Sequence, residues 1–246
     1  SKSEEKAFEA ASAVYVITNE DIRRSGVTNI PEALRLAPGI QVARIDASKW
    51  AITSRGFNEQ FSNKLLVLFD GRSVYTPLFS GVYWDTQDYI LADIDRIEVV
   101  RGPGGALWGA NAVNGVINII TKNAGDTQGA YVSQTIGNYD RSITEARYGG
   151  TTDNNSAYRL YAKFRDHDNL RNLQRENSDD QWHMKRAGFK FETYENKRDI
   201  FSVQGDVYYG YADNELRLPS LSQPYNILIA DGDEQITCGI IIAKWN

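Results

Sequence analysis

Ile94-Asp-Arg-Ile-Glu-Val-Val-Arg-Gly-Pro-Gly-Gly-Ala-Leu-Trp-Gly-Ala-Asn-Ala-Val-Asn-Gly-Val-Ile-Asn-Ile-Ile-Thr-Lys122 is the stretch on which the fold turns. Between residues 96 and 101, apolar Ile97 and Val99 alternate with charged neighbours, the period-two pattern of a strand. Gly102-Pro103-Gly104-Gly105 then forces a sharp reversal, because Gly tolerates positive φ and Pro fixes its own. Asn114-Gly115 is a second turn signal, and residues 116–121 resume as a β-branched run alternating with Asn118 and Thr121. The stretch is therefore strand, compact loop, strand.

Working outward, residues 14–26 (Val-Tyr-Val-Ile-Thr-Asn-Glu-Asp-Ile-Arg-Arg-Ser-Gly) predict a strand and then a short helix. Thr18 and Asp21 stand at capping-box spacing and Gly26 is the stop. Residues 30–39 predict a second short helix, opened by Pro31 and closed by Pro38-Gly39. Trp50-Ala-Ile-Thr-Ser-Arg-Gly-Phe57 follows. Lys64-Leu-Leu-Val-Leu-Phe-Asp-Gly-Arg-Ser-Val-Tyr75 then pairs an apolar run with an Asp-Gly turn and a returning strand, the strongest short-range hairpin signal in the chain. Five segments in this order, spread over residues 14–122, resemble the plug domain of TonB-dependent outer-membrane receptors. The opening quotation is similar to that domain's closing signature, and residues 50–57 to its Arg-Gly-Phe segment.

The chain has 246 residues, 41% apolar and 24% charged, which leaves room for two domains. Its 27 basic and 32 acidic side chains are shared so that neither half has a cationic excess, which argues against a nucleic-acid partner. Aromatic usage shifts near residue 124, since ten of the 14 tyrosines follow it, in segments of strict alternation. In residues 158–165, Tyr158, Leu160, Ala162 and Phe164 share one face, and Arg159, Tyr161, Lys163 and Arg165 the other. In residues 201–211, Phe201, Val203, Val207, Tyr209 and Tyr211 share a parity. Such segments suit transmembrane barrel strands, with lipid on one side and a wet lumen on the other. A soluble β-sandwich alternates in the same way. Connection lengths favour the barrel. With strands near 127–137, 141–151, 156–166, 182–193, 199–211 and 236–246, the connections 152–155 and 194–198 are short while 167–181 and 212–235 are long and polar. Short and long loops thus alternate, apart from the tight connection at 138–140, as in barrels with short periplasmic turns.

The fold class expected is a mixed α+β plug domain over residues 1–124, followed over residues 125–246 by antiparallel strands of an incomplete transmembrane β-barrel. Members of the family close about 22 strands around the plug in the lumen, so these roughly six read as the N-terminal part of a longer receptor. No charged leader with an apolar core precedes the first strand. Any signal peptide is expected to have been removed, and the segment that contacts TonB to lie upstream of Ser1.

The resemblance implies a non-enzymatic function without a cofactor: active import of a scarce nutrient across the bacterial outer membrane, driven by TonB and its inner-membrane proton-driven complex. Ferric siderophore is the expected cargo, with cobalamin, haem or oligosaccharide as alternatives and a passive docking or signalling receptor as an alternative of another class. Ligand contacts are expected in the apical plug loops, at Arg44, Trp50, Tyr75, Phe79, Tyr83 and Trp84. Residues 75–84 combine aromatics with Gly and Pro in a loop too apolar for a solvated surface, which suits a pocket floor or packing against a wall. Arg55 and Arg101, each beside a Gly, are expected to lock plug strands to each other or to the barrel wall through carboxylates.

Other chemistries find little material. Gly102-Pro-Gly104-Gly-Ala-Leu107 follows a strand, yet Leu107 occupies the third glycine's place and no long helix follows, which disfavours a dinucleotide-binding enzyme. Asp93, Asp95 and Glu98 lack the spacing of a calcium loop and read as caps and a solvated strand face. Cys238 is the sole cysteine. His167 and His183 bracket the long connection 167–181 and read as solvated loop residues, with no metal expected.

Overall fold

The structure, a computed structural model, describes residues 13–54, 56, 58–102, 112–152, 155–171, 177–194, 200–222 and 227–245. The chain divides into two compact units. One contains Ser1–Ile45 and Lys49–Lys122, the other Asp46–Ser48 and Asn123–Asn246.

The first unit is built on a five-stranded mixed sheet. Its strands are β1 (Ala13–Thr18), β4 (Leu65–Phe69), β5 (Arg72–Ser73), β6 (Ile94–Arg101) and β7 (Gly115–Thr121), in the order β1-β6-β7-β4-β5. A separate two-stranded ribbon pairs β2 (Ile40–Arg44) with β3 (Trp50–Ser54). Neighbouring strands run antiparallel except β4 and β7, which are parallel. The registers place Ile17, Ile97, Ile119 and Phe69 in one row across four strands, and Tyr15, Val99, Ile117 and Val67 in the next row on that face. Ile17, Ile97, Val99, Ile117 and Ile119 are fully buried, and the opposite face packs Leu66, Leu68, Val100, Ala112 and Val116 into a second cluster. With both faces covered, β4 is an unbroken apolar run rather than an alternating one.

Local chemistry sets the connections. Helix α1 (Asn19–Ser25) opens with the expected capping box, in which Thr18 Oγ1 accepts from the Asp21 amide and Asp21 Oδ2 accepts from the Thr18 amide. It ends at Gly26, φ 70°. Helix α2 (Ile30–Leu34) is capped by Asn29 and carries Pro31 in its first turn. Asp70 and Gly71 take φ of 47° and 76°, so the Asp-Gly pair makes the expected tight turn between β4 and β5. The Asp70 carboxylate also accepts from Thr121 N and Oγ1, both at 2.8 Å, tying this turn to the end of β7.

The second unit is a six-stranded antiparallel meander: β8 (Gly129–Thr135), β9 (Asp140–Thr152), β10 (Ser156–His167), β11 (Trp182–Tyr194), β12 (Ile200–Pro219) and β13 (Ile227–Trp245), each paired with its sequence neighbour. Its faces are inside out relative to a water-soluble sheet. On β10 the charged parity is buried, with Lys163 3% and Arg165 1% exposed, while Leu160 on the other face is 53% exposed. The buried charges are paired: Lys163 with Glu145 at 3.1 Å, Arg165 with Asp140 at 2.7 Å, Lys190 with Glu192 at 3.1 Å, and Arg186 with Asp206. Across the sheet, Tyr148, Leu160, Phe189 and Ile241 fall in one row of the outer face, where Ile241 is 76% exposed.

The expected long loop at residues 212–235 is not seen. These residues are mostly strand, since β12 runs on to Pro219 and β13 begins at Ile227. Apolar alternation stops near Tyr211, yet the backbone ladder continues through pairs such as Asn214 with Gly232, because ladder hydrogen bonds need no apolar face.

Candidate functional site

The β2–β3 ribbon carries the first two expected ligand residues. Arg44 pairs with Trp50 at its closing position, and the turn is shut by Ile45 N donating to Lys49 O at 2.9 Å. The Arg44 guanidinium lies 5.1 Å from the centroid of the buried Trp50 ring, a cation–π contact worth roughly 0.5–2 kcal/mol depending on exposure. At the tip, Asp46 Oδ1 accepts from Ser48 N at 2.9 Å, which bends the backbone on itself.

The other four expected residues lie along residues 75–84, which fold on themselves rather than arch as an open loop. Thr76 N donates to Gly81 O at 2.8 Å, Ser80 N donates to Thr76 O at 3.0 Å, and Ser80 sits at φ 57°. A Cβ at Gly81 would run into the Phe79 ring, so glycine there leaves room for that ring against the backbone. Phe79 meets Tyr83 edge to face at 5.1 Å and Phe61 at 5.0 Å, while Leu78 beside them projects into solvent. Trp84 is buried. Tyr75 packs against the Leu66–Leu68 cluster and donates through its hydroxyl to Asn63 O at 3.0 Å and Leu65 O at 3.3 Å. Burial pushes its phenol up to about 12.

The structure thus joins Arg44 to Trp50 and Phe79 to Tyr83, on two separate segments of the first unit. It adds Phe61, which sequence reasoning missed because a single aromatic in the polar run Asn-Glu-Gln-Phe-Ser-Asn carries no periodicity. Arg101 donates from Nη1 to the Pro38 carbonyl at 3.2 Å, linking the end of β6 to the turn after α2. Arg55, Phe57 and the Gly104 loop lie outside the described residues. Asp95 and Glu98 both pair with Arg96, at 2.6 and 2.9 Å.

His167 needs correction. It is no solvated loop residue but the buried last residue of β10, its ring lying between those of Tyr139 and Trp182, each 6.3 Å away, with Nδ1 2.6 Å from the Asp168 carbonyl. The strand runs one residue further than its alternation signals, and His167 keeps the buried parity of Lys163 and Arg165, while the extra residue of the irregularity, Arg141, lies on β9. His183 lies within β11, its ring stacked on Tyr211 at 5.3 Å.

Residues 6–116 match the family model of the TonB-dependent receptor plug domain. Among curated proteins, the vitamin B12 transporter BtuB of Vibrio cholerae is 35% identical over 137 residues, covering 56% of this chain and 22% of that protein. The Vibrio vulnificus BtuB is 32% identical over 132 residues, covering 53% and 21%. The chain therefore spans about a fifth of the length of these relatives. Among solved structures, the Pseudomonas aeruginosa receptor FpvA in a pyoverdine–iron complex superposes with TM-score 0.67 at 20% identity, over 95% of this chain and 32% of that one. The E. coli K12 ferric-catecholate import receptor Fiu gives 0.63 at 20%, over 87% and 29%. Residues 6–116 are thus similar to the plug domain of TonB-dependent receptors, and the chain shares the fold of those solved receptors.

Proposed function

We propose that residues 1–124 form the plug and residues 125–246 the opening barrel strands of a bacterial outer-membrane transporter that imports a ferric siderophore, energised by TonB and its inner-membrane proton-driven complex. The observation that carries this is the inversion of the β8–β13 sheet: paired charges on its buried face, and Leu160, Val207 and Ile241 on its exposed one. Water as the sole solvent would favour the reverse, and lipid on one face favours this. From Phe201 to Tyr211 on β12 the outer parity spans eleven residues, ten steps along the strand. At ~3.3 Å per residue and a tilt of ~40° that is a height of roughly 25 Å, the height of the apolar band of such barrels. Aromatics stand at both limits, Phe201 against Trp245 at one and Tyr209 and Tyr211 beside His183 at the other, as interfacial girdles do.

In this proposal cargo settles on Arg44, Trp50, Tyr75, Phe79, Tyr83 and Trp84, where aromatic faces supply contact area and phenol, indole and guanidinium supply polar handles. Arg55 and Arg101 hold the plug closed. Displacing plug residues breaks a packed core, which makes an external motor reasonable.

A second cargo, cobalamin, is favoured by the sequence relatives, which are vitamin B12 transporters at 32–35% identity. Uptake of labelled ferric siderophore and labelled cyanocobalamin by starved cells carrying the receptor, with and without a protonophore, separates the cargoes. Protonophore-sensitive entry of the iron complex is expected. Entry of cobalamin alone would move the assignment to the second cargo. Binding of either without entry would favour a docking or signalling receptor.

A further inference from the structure

We propose that Glu192 anchors the chain where it enters the second unit, holding the turn at Ala124–Asp126 on strands β9 to β11, so that any displacement of the plug ends at Asn123. That displacement rests on the proposed function; the anchor does not. Glu192 is 3% exposed on the charged face of β11, and both of its carboxylate oxygens are engaged. Oε2 accepts from Ala124 N at 2.6 Å and from the Tyr194 hydroxyl at 2.9 Å, and Oε1 lies 3.1 Å from Lys190 Nζ. Hydrogen bonds to an ionised acceptor are roughly twice as strong as neutral ones.

The turn depends on such an acceptor. Residues 124–126 make one turn of 3-10 helix, with Asp126 N donating to Asn123 O at 3.1 Å and Thr127 N to Ala124 O at 3.3 Å. The Ala124 carbonyl also accepts from Thr127 Oγ1 at 3.2 Å and from Gln128 Nε2 at 2.6 Å. A single turn is marginal on its own and persists where something outside it holds it. Two contacts do so here. Glu192 takes the amide of its first residue, and the carbonyl of Thr127 lies against Gly149 on β9, where an added Cβ would collide with it. Ala124 is 0% exposed and Thr127 3%. All of these groups belong to the second unit, which takes up the chain at Asn123, while Lys122 belongs to the first. The seat of the turn thus rests on contacts inside the second unit alone, and β8, which opens at Gly129, starts from a fixed place. Removing the carboxylate takes an acceptor from the buried Ala124 amide and from the Lys190 ammonium, which costs more than losing a solvated bond.

The test is hydrogen–deuterium exchange, read by mass spectrometry on the full receptor in detergent micelles, for the parent, Glu192→Ala and Glu192→Gln. Glu192→Ala is expected to speed exchange of the amides of residues 124–127 about tenfold or more, and to leave those of β7 and of residues 158–166 on β10 unchanged. Glu192→Gln keeps one acceptor oxygen and should fall between Glu192→Ala and the parent; it also carries the test if Glu192→Ala does not assemble, as judged by heat-modifiable gel mobility. Unchanged exchange at residues 124–127 in an assembled variant would overturn the anchor. Equal acceleration at residues 124–127 and on β10 would do the same, because it would report a general loosening of the sheet. Equal acceleration at residues 124–127 and on β7 would overturn Asn123 as the boundary. Neither cargo nor motor takes part, so failure here leaves the transport reading standing, and failure of that reading leaves this outcome intact.

Discussion

Leu160 on the outer face of β10 offers a direct test of what that face meets. Its register partners Tyr148 and Phe189, and Ile241 beyond them, form a row that coincides with Gly205 on β12, four residues from Phe201 and six from Tyr211. At ~3.3 Å per residue and a tilt of ~40°, Leu160 lies roughly 10 Å inside one aromatic limit and 15 Å inside the other, near the middle of the band. An arginine there should cost about 2–4 kcal/mol, and the same substitution at Phe201, on the rim, about 0–1 kcal/mol. In a water-solvated sheet neither exposed site would move stability by more than about 0.5 kcal/mol beyond its side-chain contacts. The assay is denaturant unfolding of the receptor reconstituted in phosphatidylcholine vesicles, comparing Leu160→Arg, Phe201→Arg and the parent. A gradient with Leu160→Arg the worse is expected. Equal effects at the two depths would refute a lipid-facing sheet, and with it the main support for the transporter reading.

Phe79→Ala should weaken binding of the cargo identified by uptake about tenfold while leaving assembly intact, since the ring sits half-buried between Phe61 and Tyr83; unchanged affinity would remove it from the site. Tyr75 should give a pH signature in the alkaline range. Its folded phenol stands near 12 against an ordinary value of 10.0, so its contribution is full below pH 10 and is lost as pH rises through the folded value. A tyrosinate absorbance titration in which the Tyr75→Phe difference falls near pH 10 would contradict this. Gly115→Ala should destabilise the plug by about 1–3 kcal/mol, because the added Cβ would stand 2.5 Å from the Val100 carbonyl oxygen; faster proteolysis of the plug is the readout, and parental resistance would show that the strands yield.

What could be read from the chain was local. The Thr18–Asp21 capping box, the Pro at the start of α2 and the Asp70–Gly71 turn each work over three or four residues, and all three form as their chemistry dictates. The parallel pairing of β4 with β7 could not be read, because nothing in Leu65–Phe69 specifies a partner fifty residues on. The extension of β12 and β13 past the apolar band was hidden for a related reason: where both faces are polar, the pattern that marks a strand disappears while its hydrogen bonds persist. Within the candidate site, aromatics in residues 75–84 announced themselves by composition. The Glu192 contact to Ala124 joins residues 68 apart and leaves no trace in either neighbourhood.

Strand β1 occupies an edge of its sheet, and among the described residues its only strand neighbour is β6, along six paired positions from Ala13–Arg101 to Thr18–Arg96. A tension applied to the chain ahead of Ala13 and directed away from the sheet would load these pairs in succession rather than together, so the rupture force would be that of one pair at a time. The same tension along the strand axis would load all six in shear. Resistance to a pulling partner would then depend on the angle of the pull more than on how stable the sheet is.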